Sequence, residues 1–301
     1  MKEIEKRKMP KAYAVLWAAI TAAYTVWMTF FMRDIVLNRY ETEAERTVDG
    51  YLYPDITGMM GRHWLYPIWV IVSAITLLLF IVYISRILYA EKPGKFAKWF
   101  CLIGAVVGCI YVVIYGFLDA PNKQGEIAEF SDKLKYITAS MIGLMWPWLF
   151  RLWGVLAAAT VFSNTMYCYR RYDYNSRLGV ILGSIGSAAI YLTINCPSLG
   201  DDDKDFSIPR CTVHWAGALI FAAFCAAPLI IFLFSKGRKE KGRFLGAFIV
   251  FVALLAVMAV LLVTVGKSAI IENIPMVAAY VLLISLNFTD FYIDKAEKSK
   301  T

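Results

Sequence analysis

Eight apolar stretches, each close to the length of a membrane-crossing helix, divide the chain near residues 12–32, 65–85, 99–118, 149–169, 178–195, 214–234, 244–265 and 274–293. A hydrocarbon core about 30 Å thick takes about 20 apolar residues of helix at a rise of about 1.5 Å per residue. Backbone groups left unpaired in lipid restrict spans to helices or closed barrels, and stretches of this length fit helices. The sequence therefore predicts an all-α polytopic bundle occupying residues 1–301 as one membrane domain. A hydrophobic fraction of 59% and a mean hydropathy of +0.58 are far from those of a soluble domain. The first stretch follows the basic run Lys6, Arg7 and Lys8, as a secretory leader would. Its apolar core is too long, and no small-residue cleavage site follows, so it reads as a retained helix.

The connections between spans alternate in charge, and this predicts orientation. The N-terminal tail, residues 86–98, 170–177 and 236–243, and the C-terminal tail together hold twenty of the 31 Lys and Arg residues. The opposite connections hold eleven of these, Arg151 included, and fifteen of the 23 acidic residues. One side is thus +12 and the other −4. Because basic loops are retained in the cytoplasm, both termini are expected there, in a plasma or cytoplasmic membrane. The basic isoelectric point near 9.1 is accounted for by topology and by attraction to anionic lipid, with no need for nucleic acid as a partner.

Cysteine placement agrees with that orientation. Cys196 and Cys211 fall in the outer connection between the fifth and sixth spans, where a disulfide closing about 15 residues would contribute roughly 3 kcal/mol. Cys101, Cys109, Cys168 and Cys225 read as small apolar packing residues. No paired Cys/His spacing points to zinc, and no Walker, GxSxG, HExxH or dinucleotide motif occurs, so neither a metal nor a cofactor is expected. The acidic run Asp201-Asp202-Asp203-Lys204-Asp205 lacks the spacing and glycine of a calcium loop and reads as a solvated turn.

Two glycine pairs, Gly104 with Gly108 and Gly179 with Gly183, form GxxxG spacings that allow close helix approach, within the chain or between copies. Spans two to seven read as three hairpins, with weak similarity between residues 65–69 and 149–153 of the kind seen in transporters. Residues 136–145 precede Pro147, which stands between Trp146 and Trp148. That stretch is expected either as an interfacial or re-entrant helix, or as the start of a long kinked span.

Polar groups gather at the outer ends of the spans: His63, Asp119, Arg151, His214 and Glu272. Arg151 lies among Trp148, Leu149, Phe150, Leu152 and Trp153. At such a place a charge snorkels to phosphates or pairs with a carboxylate, Glu272 or Asp119. His63 and His214 are the only histidines, and each precedes a Trp at a helix entrance. With Glu272 they are the candidate catalytic groups; Arg151 and Asp119 are candidate binding groups.

The runs Ile181-Leu182-Gly183-Ser184-Ile185-Gly186 and Val213-His214-Trp215-Ala216-Gly217-Ala218, together with Tyr53-Pro54-Asp55-Ile56-Thr57-Gly58 and Asn287-Phe288-Thr289-Asp290-Phe291, resemble segments of the DRAM/Sfk/FRAG-type multi-pass membrane proteins and their bacterial relatives. The similarity covers the last five or six spans. It implies a membrane protein tied to lipid remodelling or membrane organisation, with His214 and residues 53–58 as its marked positions. The expected function is a lipid-interacting or membrane-organising role with an outward-facing polar site and membrane lipids as partners. A small-solute or lipid transporter and an integral-membrane lipid hydrolase or transferase are the alternatives.

Overall fold

The computed structural model describes residues 70–81, 95–122, 125–195, 210–240 and 242–293, with the strand residues 47–48 and 51–52 and scattered helical positions between 16 and 26. Among them the fold is helical, apart from a minimal antiparallel pairing of β1 (Thr47–Val48) with β2 (Tyr51–Leu52) and an isolated antiparallel bridge between Pro121 and Ile127. The helices are α1 (Val70–Ile81), α2 (Lys95–Gly116), α3 (Phe130–Lys135), α4 (Ala139–Met145), α5 (Pro147–Arg171), α6 (Arg177–Asn195), α7 (Arg210–Glu240), α8 (Arg243–Thr264) and α9 (Ala269–Phe288). Five are long and apolar enough to cross a membrane: α2, α6, α7, α8 and α9. His63, Cys196, residues 53–58 and 201–205, and most of the first expected span lie outside the described residues, as does the side chain of Cys211.

Helix α5 is the axis of the bundle. Its 25 residues reach about 37 Å, and it packs against α2, α4, α6 and α9. It begins at Pro147, whose missing N–H costs nothing at a first helical position and whose fixed φ suits one. Trp146, at φ −123° and ψ 67°, separates it from α4. Residues 136–148 are therefore not the start of one kinked span. They contain a separate seven-residue helix with Ala139, Met141, Ile142, Gly143 and Leu144 buried against the rest of the bundle.

Helix α9 corrects the boundary expected at 274. It starts at Ala269, because the Ser268 hydroxyl accepts the Ile271 N–H and Glu272 places an acidic charge in the first turn, where the helix dipole favours it. The polar pair Glu272 and Asn273, read as part of a connection, is helical. Helix α7 runs past its expected end at 234 to Glu240, carrying the basic residues Arg238 and Lys239 in its last turn.

Small residues decide which helices approach closely. A Cβ on Gly108 would stand 2.6 Å from the Tyr280 hydroxyl and 3.0 Å from Thr160 Oγ1, and one on Gly104 would stand 3.1 Å from Thr160 Cγ2. This first GxxxG seats α2 on α5 and α9. In the second, Gly179 faces the Tyr169 hydroxyl, while Gly183 meets Phe162 and Pro228 only at ordinary contact distance. All four glycines face side chains of this same chain. The tightest approach of α6 to α7 uses others. A Cβ on Gly186 would lie 2.9 Å from the Phe224 carbonyl carbon, and one on Gly217 would lie 2.7 Å from Thr193 Oγ1 and 2.8 Å from Ala189 O.

Buried polar groups join α2, α5 and α9 along their length. Asn164 Nδ2 donates to Cys101 O at 3.0 Å, and Asn287 Nδ2 donates to Asn164 O at 2.9 Å. Thr160 and Tyr280 share a 2.6 Å hydroxyl contact, and Asn273 Nδ2 donates to Val112 O at 2.9 Å. In an apolar medium these atoms have no water to turn to, so such bonds fix helix register.

Candidate functional site

Helix α4 is held at one end of the bundle, where α5, α7 and α9 begin and α2 and α6 end. The Ala139 N–H donates to Glu272 Oε2 at 3.0 Å, and its carbonyl accepts from the Tyr115 hydroxyl at 2.8 Å. Just before it, Ile137 O accepts the Ala269 N–H at 2.7 Å. At its far end the Trp146 indole N–H donates to Asp119 O at 3.0 Å. Helices α2 and α9 and the turn after α2 therefore clamp the segment, largely through its backbone.

Ser140 and His214 stand together within this clamp. The Ser140 hydroxyl lies 2.9 Å from His214 Nε2, and His214 Nδ1 lies 3.0 Å from the carbonyl oxygen of Thr193. A carbonyl only accepts, so in the neutral ring Nδ1 carries the proton and the Nε2 lone pair faces the Ser140 hydroxyl. The Thr193 hydroxyl in turn donates to His214 O at 3.2 Å, so α6 grips the residue from both sides. His214 is 3% exposed, whereas Ser140 is part-exposed.

Glu272 also meets Lys267, 3.8 Å away, and the Lys267 ammonium sits 3.4 Å above the Trp215 ring. Among the expected site residues, the structure thus brings His214 and Glu272 to consecutive residues of α4. Arg151 is 1% exposed; its Nε donates to Pro147 O at 3.1 Å, and its guanidinium lies 4.8 Å from the centre of the Trp148 ring. The ion pairs described for the two expected partners of Arg151 lie elsewhere. Glu272 pairs with Lys267, and Asp119 pairs with Lys133 at 2.5 Å. The Asp119 side chain is 58% exposed, which limits that pair to within about 1 kcal/mol.

A second feature lies among α2, α8 and α9. Helix α8 buries only Phe244 and Phe251 and packs on α7 and α9 but not closely on α2, leaving a groove of about 730 Å³ between α2, α8 and α9. The volume is within the range of about 300–1,000 Å³ typical of small-molecule sites. It runs from Phe117 and Ile270 past Val250 and Val281 to Arg243 and Phe291. From Ile270 to Ser285 this is about 22 Å along α9. Two polar lining donors are already engaged, Asn273 Nδ2 with Val112 O and the Ser285 hydroxyl with Leu282 O. Arg243 donates to Phe291 O and stacks on its ring, leaving further guanidinium N–H groups exposed at the basic end of the groove.

Sequence reasoning missed Ser140 and the whole groove. No family model matches the chain, and no curated protein or solved structure matches it.

Proposed function

We propose that this chain is an eight-span membrane protein, both termini cytoplasmic, that binds a phospholipid in the groove between α2, α8 and α9. The acyl chain lies along Val250 and Val281, and an anionic head group meets Arg243. The groove carries this reading: it is apolar over most of a bilayer thickness and ends at a cation on the side where the +12 charge balance places the cytoplasm. Cytoplasmic leaflets carry anionic lipid, which matches that cation. Five span-length helices, the axial helix α5, the α1 segment and the helical positions between 16 and 26 support the eight-span count, and the charge alternation supports the orientation.

Native mass spectrometry of the purified full chain tests the lipid reading. One phosphatidylglycerol is expected to remain bound in preference to phosphatidylcholine. Arg243→Gln is expected to weaken that preference about fivefold, the equivalent of about 1 kcal/mol for one cation near anionic lipid. Val281→Trp, which fills the groove, is expected to lower occupancy by either lipid. Wild-type protein that retains no lipid above background overturns the proposal.

Orientation is tested in whole cells. Cysteines introduced at 236–243 are expected to be protected from an impermeant maleimide, and those at 201–205 to react. The reverse pattern overturns the charge argument.

A further inference from the structure

We propose that Ser140 and His214 form a nucleophile and general-base pair that cleaves an ester bond of a membrane lipid at the outer boundary of the bilayer. The geometry is that of an activated hydroxyl: nucleophile and base are within hydrogen-bond reach, and a third group orients the base. Ser140 Oγ is 2.9 Å from Nε2, and the Thr193 carbonyl at 3.0 Å from Nδ1 holds the ring in the tautomer that accepts a proton from the hydroxyl. His214 is enclosed while Ser140 is part-exposed, so the residue that must meet a substrate is the more accessible of the two.

Depth identifies the substrate class. Trp146, Trp148 and Trp215 are exposed around this end of the bundle, and indole rings concentrate at the head-group level. A hydroxyl at that level meets the ester carbonyls that join acyl chains to the head group. Lys267, in contact with both Glu272 and Trp215, adds a cation beside the pair for a phosphate to approach. The site lies apart from the α2–α8–α9 groove and does not depend on it.

The reaction closes with water as the only co-reactant. Ser140 Oγ bonds to the ester carbonyl carbon as its proton passes to His214 Nε2. The tetrahedral adduct then expels the lipid alkoxide, which takes that proton and leaves as an alcohol. A water, deprotonated by the same Nε2, attacks the acyl-Ser140 ester, releasing a fatty acid and restoring the serine hydroxyl. Thr193 acts here as a positioning residue, through its carbonyl and through its hydroxyl on the His214 backbone.

The test uses the full chain in nanodiscs of phosphatidylcholine and phosphatidylglycerol at 3:1. A fluorophosphonate probe is expected to label Ser140, as located by peptide mapping, and fatty acid is expected to be released. Both are expected to vanish in Ser140→Ala and to fall at least about 100-fold in His214→Gln. Ser140→Cys guards against loss of folding: its alkylation rate is expected to stay high toward lower pH than that of an ordinary thiol, and to lose that advantage when His214→Gln is added. A monodisperse wild-type protein that takes no label and releases no fatty acid overturns the proposal, as does labelling that survives in Ser140→Ala. So does a Ser140→Cys thiol indifferent to His214, which would make the pair a structural pin between α4 and α7.

Discussion

Gly217→Ala is expected to lower the apparent melting temperature of the detergent-solubilised protein by roughly 2–6 °C, a cost of about 1–2 kcal/mol. The added methyl would lie 2.7 Å from Thr193 Oγ1 and 2.8 Å from the backbone oxygen of Ala189. A side chain could rotate away, but a helix carbonyl yields only if α6 and α7 separate. In an open helix alanine is worth up to about 1 kcal/mol over glycine, so the controls should move the other way or not at all. Gly246→Ala, with nothing within 4 Å of the new atom, and Gly183→Ala, with its nearest neighbour at 3.4 Å, are expected to hold or raise the melting temperature. Equal behaviour of all three variants would show that close approach at Gly217 does not limit packing.

The second large effect is expected at Gly108, and it should be partly reversible by a change on another helix. A methyl there would stand 2.6 Å from the Tyr280 hydroxyl and 2.8 Å from Cζ, displacing the ring from Thr160. Gly108→Ala is expected to cost about 1–3 kcal/mol. Tyr280→Phe alone is expected to cost only about 0.5–1.5 kcal/mol, because the Thr160 hydroxyl keeps its 2.7 Å bond to Leu156 O. Combining the two removes the atom the methyl strikes first, so the double variant should be more stable than the sum of the single losses by about 1 kcal/mol. Thermal unfolding of the four proteins closes the cycle, and strict additivity would contradict the contact.

Much of the architecture was legible because hydropathy and charge act over whole segments. The helices from α5 to α8 begin within a few residues of the expected positions, since Pro147 and the basic turns at 170–177 and 236–243 punctuate the chain. The start of α9 was misplaced because Glu272 and Asn273 look like loop residues to a hydropathy reading. In the fold, one binds a backbone N–H of α4 and the other a carbonyl of α2. The candidate site divides in the same way. His214 and Glu272 stand out by their rarity in apolar surroundings, whereas Ser140 is one hydroxyl among many, 74 residues from the imidazole it meets. A local signal did exist in Thr138, a helix N-cap one residue before the short α4, its hydroxyl accepting the Met141 N–H. The groove left no mark on the sequence, because it arises from the gap between α2 and α8 in the packed bundle and not from any residue pattern.

The clamp on α4 also sets an order of assembly. Ala139 gives its N–H to a carboxylate 133 residues further along, and Ile137 accepts from Ala269, so the last span supplies the partners of one of the middle segments. During synthesis, α2 through α8 are complete before those partners exist. Contacts between segments so distant in sequence form late, after the loop between them is closed. The end of the nascent bundle that holds α4 therefore stays open until α9 is in place. Its arrival closes α4 over the bundle and brings Glu272 to the residue before Ser140, so the surroundings of the Ser140–His214 contact are complete only once α9 is in place.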